Sequence, residues 1–189
     1  MTSLQFRRRK EQRTDYNKRL NLLRSEKPRF VVRRTLKNYI VEIVSYTPRG
    51  DKAIAAVNSL ELKNFGWKLP TGNLPAAYLS GFLCGMKAKG KADEAVMDIG
   101  LQDSTKGGGI YAVLKGAVDA GMKIPHDPAI LPTMDRISGK HIAGYAEALK
   151  KSDQSELKKR FAAYAKAGIK PEEISTHFEE IKKAIAAKF

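Results

Sequence analysis

The order of apolar and polar residues divides the chain into a basic start, a strand-rich first half and a helical end. Tyr16, Leu20 and Leu23 recur at helical spacing behind Thr14, a plausible N-cap, so the pattern predicts a short helix over residues 15–24. Its apolar stripe is narrow, and an isolated helix needs roughly 12–15 residues for marginal stability in water. We therefore expect this helix to need a surface on which to dock.

Three runs rich in β-branched and aromatic residues follow, at residues 29–34, 39–46 and 52–57. Turn signals separate them, Lys37-Asn38 after the first run and Thr-Pro-Arg-Gly-Asp at residues 47–51 after the second. Connections this short favour an antiparallel meander.

A helix is predicted for residues 74–89, with Asn73 (or Thr71) as its N-cap. Gly81 and Gly85 would each cost about 1 kcal/mol relative to Ala inside a helix, so a close backbone approach is expected to compensate. A short strand at residues 95–99 comes next. A strand, helix, strand order implies a crossover to a parallel neighbour.

The remainder of the chain is predicted to be helical, with apolar positions recurring at helical spacing. The last stripe consists of Ile174, Phe178, Ile181 and Ile185. The predicted helices cover residues 110–120, 140–150 and 152–167, and a last helix begins at Pro171. Ser152 is the predicted N-cap of the third.

Together these elements predict an α/β fold, in which a mixed sheet (an antiparallel meander plus a parallel strand) is covered by helices. We divide the chain into a basic N-terminal arm or helix at residues 1–27, an α/β body at residues 28–139 and a helical C-terminal extension at residues 140–189.

Composition narrows the class of protein. The hydrophobic content of 42% excludes wholesale disorder. No apolar run approaches the roughly 18–20 residues of a membrane span, and the start lacks the apolar middle of a signal peptide. A single cysteine, Cys84, allows no internal disulfide. These features predict a soluble intracellular protein.

Positive charge is concentrated at the start of the chain. Thirteen basic residues lie between Phe6 and Lys37 against three acidic ones, which gives +10 of the total +15. The basic residues are Arg7, Arg8, Arg9, Lys10, Arg13, Lys18, Arg19, Arg24, Lys27, Arg29, Arg33, Arg34 and Lys37. Like charges at this density repel one another unless an anionic partner neutralises them, and a phosphate backbone is the commonest partner.

A solvated face or a tail that serves solubility alone would also be basic. Arginine predominates here, however, and its planar guanidinium suits phosphate better than lysine does. Interleaved aromatic residues also favour a nucleic acid. Among them, Phe6 and Tyr16 are expected near RNA, whereas Phe30 and Tyr46 are expected in the core.

Catalytic and nucleotide-binding patterns are weak. The glycines at residues 107–109 precede a helix, but no Gly-Lys-Ser or Gly-Lys-Thr follows, so a tight turn with close packing is the preferred interpretation. His126, His141 and His177 lie far apart without partners at metal-ligand spacing. Asp98, in an otherwise apolar strand, is either a catalytic acid or a buried, paired structural residue. No cofactor and no metal are indicated.

Four segments resemble one protein family closely: RRRKEQRTDYNKRLNLL, PRFVVRRTLKNYIVEIV, PTGNLPAAYLSGFLCG and DIGLQDSTKGGGIYAVLKGAVDAG. The family is the large-subunit ribosomal protein that binds 5S ribosomal RNA, the L-eighteen family of archaea and L-five of eukaryotes. The chain length is typical of its archaeal members. The resemblance implies a structural, non-catalytic protein in the central protuberance, with 5S rRNA, 23S rRNA, the other 5S-binding protein and adjacent ribosomal proteins as neighbours.

The charge map and the resemblance together give a set of expected RNA-binding residues. The set comprises Arg7, Arg8, Arg9, Lys10, Arg13, Thr14, Tyr16, Arg19, Arg24, Arg29, Arg33, Arg34, Thr35, Lys37, Asn38, Thr71 and Asn73. The last two are implied by the resemblance alone. Two alternatives stay open: an RNA-binding assembly factor that leaves the mature ribosome, and a nuclease that uses Asp98.

Overall fold

A computed structural model describes residues 5–189 of the chain and contains a mixed sheet with its main helices on one face. The strands are β1 (Arg29–Arg34), β2 (Tyr39–Thr47), β3 (Gly50–Asn58) and β4 (Val96–Asp98). They lie in the order β3-β2-β1-β4, with β4 parallel to β1 and the other pairs antiparallel. The predicted α/β class, antiparallel meander and parallel strand are confirmed.

The two faces of β1 differ in character because successive side chains of a strand point to opposite sides. Phe30 and Val32 are fully buried in the main core. Arg29, Val31 and Arg33 line the other face, away from that core. The sheet therefore has one apolar face under the helices and one charged face, which we call the open face.

Helices α3 (Leu74–Ala88) and α4 (Gly109–Asp119) cover the apolar face and pack closely against each other. Asn73 caps α3, because its Oδ1 accepts from the backbone N–H of Ala76 over 2.9 Å. A Cβ placed on Gly81 would overlap the carbonyl oxygen of Val113, and one on Gly116 would overlap that of Tyr78. The close approach that the glycines of this helix predicted is thus confirmed.

The described part of the basic arm, residues 5–27, contains α1 (Arg7–Lys10) and α2 (Tyr16–Leu23), and the first four residues of the arm lie outside the described chain. The prediction that Thr14 caps α2 is wrong. Asp15 is the cap, because its Oδ1 accepts from the N–H groups of Asn17 and Lys18. None of the residues of α2 is buried.

The C-terminal part adds α5 (Met134–Ile137), α6 (Lys140–Ser152), α7 (Gln154–Arg160), α8 (Ala162–Ala167) and α9 (Ile174–Lys188). The predicted single helix at residues 152–167 is wrong on two counts. Asp153, with an extended backbone, separates α6 from α7 and caps the latter in place of Ser152. Phe161 leaves the helical conformation between α7 and α8 and packs its ring into the core.

The predicted stripe of α9 is confirmed, since Ile174, Phe178, Ile181 and Ile185 are all buried in the core that the body shares with the C-terminal helices. The prediction that Tyr46 packs in the core is wrong: it is 55% exposed. Tyr46 pairs with Asp51 at the hairpin end of β2, beyond the helices. No helix between residues 5 and 189 is long and apolar enough to cross a membrane.

Short 3-10 helices complete the described chain at Ser59–Phe65, Pro128–Ile130 and Pro171–Glu173. The first begins with a reciprocal capping box. The side chain of Asn58 accepts from the N–H of Leu60, and Glu61 accepts from the N–H of Asn58. This turn carries the chain from β3 to the end of the sheet where α3 begins.

Candidate nucleic-acid interface

A groove of about 1170 Å³ separates α2 from the open face of the sheet. Its walls come from the arm on one side and from β1, the β2–β3 hairpin and the end of β4 on the other. The basic residues that line it are Arg8, Arg13, Lys18, Arg19, Arg29 and Arg33. The arm and β1 therefore line one basic groove from opposite sides.

Alternating charges cross the groove as a chain of ion pairs. Arg19 of α2 binds Asp51 over 2.8 Å, and Arg29 binds the other oxygen of Asp51 over 2.6 Å. Arg29 also binds Asp98 over 2.7 Å, and Asp98 binds Arg33 over 3.0 Å. We call these five residues the ion-pair chain. It is the visible link between α2 and the sheet, because α2 itself buries no residue.

The carboxylate of Asp98 lies near the centre of this chain and is 6% exposed. Burial alone would raise its pKa. The charge of Arg33 and hydrogen bonds from Arg33, Arg29 and the N–H of Gly100 outweigh burial and hold the pKa of Asp98 below its usual 3.8. Asp98 is therefore an ionised partner of two arginines, as expected for a paired structural residue.

Arg33 is the member of the ion-pair chain with the most accessible side chain, at 37% exposed. Its Nη1 donates to the carbonyl oxygens of Val32 and Asp98, and its Nη2 donates to Oδ1 of Asp98. The guanidinium lies against Gly100, where a Cβ would stand 2.9 Å from Cζ. Arg29, by contrast, is 4% exposed and is used inside the protein.

The turn between β1 and β2 forms a second part of the basic surface, beside the groove. Thr35 holds it closed, because its Oγ1 donates to the carbonyl oxygen of Asn38 over 2.9 Å and accepts from the N–H of Asn38. Leu36 and Lys37 at its tip are exposed. The hydroxyl of Thr71 contacts Oδ1 of Asn38 over 2.6 Å and the carbonyl oxygen of Lys37 over 3.1 Å.

Thr71 is thus placed next to the turn, and both Thr71 and Asn73 already have a role within the protein. Thr71 is 7% exposed and supports the turn, and Asn73 caps α3. The turn residues and Thr71 were predicted separately, and the structure brings them together. Thr71 is buried beneath the turn, whereas Leu36 and Lys37 form its exposed tip.

Arg34 leaves β1 beside a residue that the sequence analysis missed. The side chain of Gln102 accepts from the N–H of Arg34 over 3.2 Å and donates to its carbonyl oxygen over 3.4 Å. Gln102 therefore contacts the end of β1 beyond the backbone pairing of β4, using a side-chain amide in place of backbone. The signal was its position just after a strand that runs parallel to β1.

The arm presents its remaining basic residues to solvent. Arg7, Arg8, Arg9, Lys10, Arg13 and Arg24 are all exposed. The side chains of Arg7 and Arg13 approach Glu11 at 3.4 Å, but at 84% and 68% exposure such pairs contribute little. Thr14 accepts a hydrogen bond from Arg8, and the rings of Phe6 and Tyr16 lie 5.0 Å apart.

The glycine-rich loop serves packing. Gly109 lies so close to Tyr39 that a Cβ there would overlap the tyrosine hydroxyl. Among residues 5–189, no group of three His, Cys, Asp or Glu side chains is arranged to hold a metal ion. Burial raises the pKa of the Cys84 thiol to about 12, so the thiol stays protonated at neutral pH.

A protein-family model described as "Ribosomal large subunit proteins 60S L5, and 50S L18" matches the sequence at residues 2–94 and 86–127. The matched residues include the arm, all four strands, α3 and α4. They therefore include every residue of the groove and of the β1–β2 turn. The match covers more than half of the chain, and the helices beyond residue 127 lie outside it.

Proposed function

The chain belongs to this family of large-subunit ribosomal proteins, and we propose that it binds 5S rRNA and helps to attach it to the 23S rRNA in the central protuberance. The family is one of structural ribosomal proteins rather than enzymes, and it locates the chain in the large subunit of the cytoplasmic ribosome. We further propose that the chain itself is non-catalytic. Its other neighbours would be adjacent ribosomal proteins, including the other 5S-binding protein.

One observation carries the proposal: the basic arm and β1 line one groove over the open face, and β1 leads directly into the exposed β1–β2 turn. Exposed arginines in the arm are suited to phosphates, which supply affinity without sequence information. Arg33 is held on a strand and is suited to a contact of fixed geometry. A surface that combines both kinds of contact fits a folded RNA.

Within this surface we assign two roles. Direct contacts are assigned to the exposed or partly exposed residues: Arg7, Arg8, Arg9, Lys10, Arg13, Thr14, Tyr16, Arg19, Arg24, Arg33, Arg34, Thr35, Lys37 and Asn38. Support is assigned to Arg29, Thr71 and Asn73, because each forms a side-chain hydrogen bond within the protein.

The proposal is tested by competition binding. Purified protein is titrated with labelled 5S rRNA in the presence of either unlabelled 5S rRNA or bulk rRNA fragments of equal length, at one fixed salt concentration. We expect the 5S competitor to be effective at a much lower concentration. Equal competition by the two RNAs would show a general RNA-binding protein and contradict the 5S assignment.

Two further measurements address the alternatives. Quantitative mass spectrometry of gradient-purified large subunits should find about one copy per particle, whereas far fewer copies would indicate a factor that leaves the mature ribosome. Incubating RNA with the protein and a divalent metal should leave the RNA intact. Cleavage that Asp98→Asn abolishes would instead indicate a nuclease.

A further inference from the structure

Arg33 is bound by the protein along only part of its guanidinium. The three hydrogen bonds to Val32 and Asp98 use both protons of Nη1 and one proton of Nη2. The protons that these bonds leave, on Nε and on Nη2, lie on one edge of the planar group. Two parallel N–H donors on one edge match the two oxygens of a phosphate or of a base edge.

The orientation of that edge is set by Asp98. The carboxylate is itself fixed on three sides, by Nη1 of Arg29, by Nη2 of Arg33 and by the N–H of Gly100. Its backbone oxygen also accepts from Arg33 over 2.7 Å. Gly100 then closes one side of the guanidinium, with its backbone at a φ of +64°. Arg33 therefore loses little rotamer freedom when it binds a ligand.

We propose that Asp98 is a positioning residue of the RNA site, which fixes the guanidinium of Arg33 so that its outer edge recognises one arrangement of RNA oxygens. This inference rests on the proposed function. It assigns part of the selectivity between RNAs to a buried acidic residue that lies far along the sequence from the basic segment. Its effect is exerted through Arg33 and not by contact with the RNA.

The effect of Asp98→Asn on RNA affinity and on RNA preference separates a positioning role from a purely electrostatic one. Removing one negative charge from a basic groove should, by charge alone, tighten binding to every RNA. If Asp98 positions Arg33, the same substitution weakens the preference for 5S rRNA over bulk rRNA, by about tenfold for the loss of one well-aligned charged hydrogen bond. Glu42→Gln is the matched control, because Glu42 lines the same groove but belongs to none of these ion pairs.

A second pair of variants disturbs Arg33 without changing any charge. Gly100→Ala places a methyl group where Cζ of Arg33 is 2.9 Å away, so the guanidinium must move. Gly107→Ala has nearly the same backbone strain, at a φ of +68°, and its methyl group meets nothing within 4 Å. We expect Gly100→Ala to reduce the preference for 5S rRNA and Gly107→Ala to leave it unchanged. This pair tests whether the position of Arg33 sets the preference, even if Asp98→Asn folds poorly.

The experiment measures dissociation constants for 5S rRNA and bulk rRNA with each variant, and the melting temperature of each. It also includes Arg33→Ala and the double variant with Asp98→Asn. If Asp98 acts through Arg33, then Asp98→Asn causes no further loss of preference once Arg33 is gone. The same loss in both backgrounds, or tighter binding to both RNAs with an unchanged ratio, would overturn the inference.

The wild-type protein distinguishes this inference from the function on which it rests. If the wild-type protein has nearly equal dissociation constants for 5S rRNA and bulk rRNA, 5S recognition is contradicted. The positioning role is then contradicted as well. A clear wild-type preference that both Asp98→Asn and Gly100→Ala retain would leave the 5S assignment standing and remove the role of Asp98 alone.

Discussion

Nη1 of Arg29 donates to Oδ2 of Asp98 over 2.7 Å, although the two residues are 69 positions apart and both are buried. Removing one partner of such a pair leaves the other charge poorly compensated, which costs more than the pair contributes when intact. Asp51 gives Arg29 a second carboxylate and limits that penalty. The open face is thus stabilised by ion pairs between side chains rather than by apolar packing.

Acid should weaken this pair. The fold holds the pKa of Asp98 below its usual 3.8, so the ionised carboxylate stabilises the protein above that value and the contribution is lost as pH falls through the folded pKa. We expect Asp98→Asn to lower the free energy of unfolding by about 3 kcal/mol at neutral pH. Urea unfolding at a series of pH values should show the gap to wild type closing below about pH 4. A gap that does not change with pH would contradict the assignment.

The salt dependence of RNA binding should show whether the basic residues of the arm contact phosphates. Deleting residues 1–13 removes Arg7, Arg8, Arg9, Lys10 and Arg13, each of which is expected to contribute roughly −0.9 to −0.7 to the slope of log K against log salt. The slope measured by filter binding should therefore become distinctly shallower. An unchanged slope would place these charges away from the RNA.

Arginines on β1 and arginines in the arm should have different effects on RNA binding. Arg33→Ala and Arg34→Ala alter side chains that β1 holds in place, so we expect a reduced preference for 5S over bulk rRNA. Single substitutions in Arg7 to Arg9 should weaken binding to both RNAs about equally, as phosphate contacts do. Competition binding measures both effects, and an equal loss of selectivity in the two sets would contradict the distinction.

Helix α2 should become ordered only on RNA. α2 buries no residue and is tied to the sheet through the Arg19–Asp51 ion pair, whose side chains are each 29% exposed. Exposed pairs of this kind contribute about 0–1 kcal/mol, too little to hold a short helix. Amide hydrogen exchange should show fast exchange at residues 15–24 in the free protein and protection in the 5S complex. Strong protection without RNA would show that the helix is already docked.

Helix packing gives a prediction that does not involve RNA. Gly81→Ala places a methyl group against the carbonyl of Val113 and should lower the free energy of unfolding by about 3 kcal/mol or more. Gly144→Ala is the matched control on α6, where the added methyl group meets nothing within 4 Å. The control should stabilise the protein by about 0.5–1 kcal/mol. Urea unfolding of both variants tests this, and equal stabilities would mean that α3 and α4 approach less closely.

Local pattern determined much of this molecule. The bounds of β1 and the buried stripe of α9 follow from residues that are neighbours along one strand or helix, whose side-chain period fixes which face is apolar. The concentration of positive charge at one end of the chain also followed from the sequence, because thirteen basic residues lie within residues 6–37. Turn chemistry then fixed the antiparallel pairing of adjacent strands.

Tertiary structure decided which of the charged residues face outward. Arg29 and Arg33 are four positions apart and share a face of β1, yet one is buried and the other is partly exposed. Asp98 of β4 binds both arginines, whereas Asp51 of β3 binds only Arg29 of the two. Likewise, Thr71 supports the β1–β2 turn only because the chain returns to it after 33 residues. Such pairings depend on long-range register, and neither periodicity nor charge count along the chain encodes them.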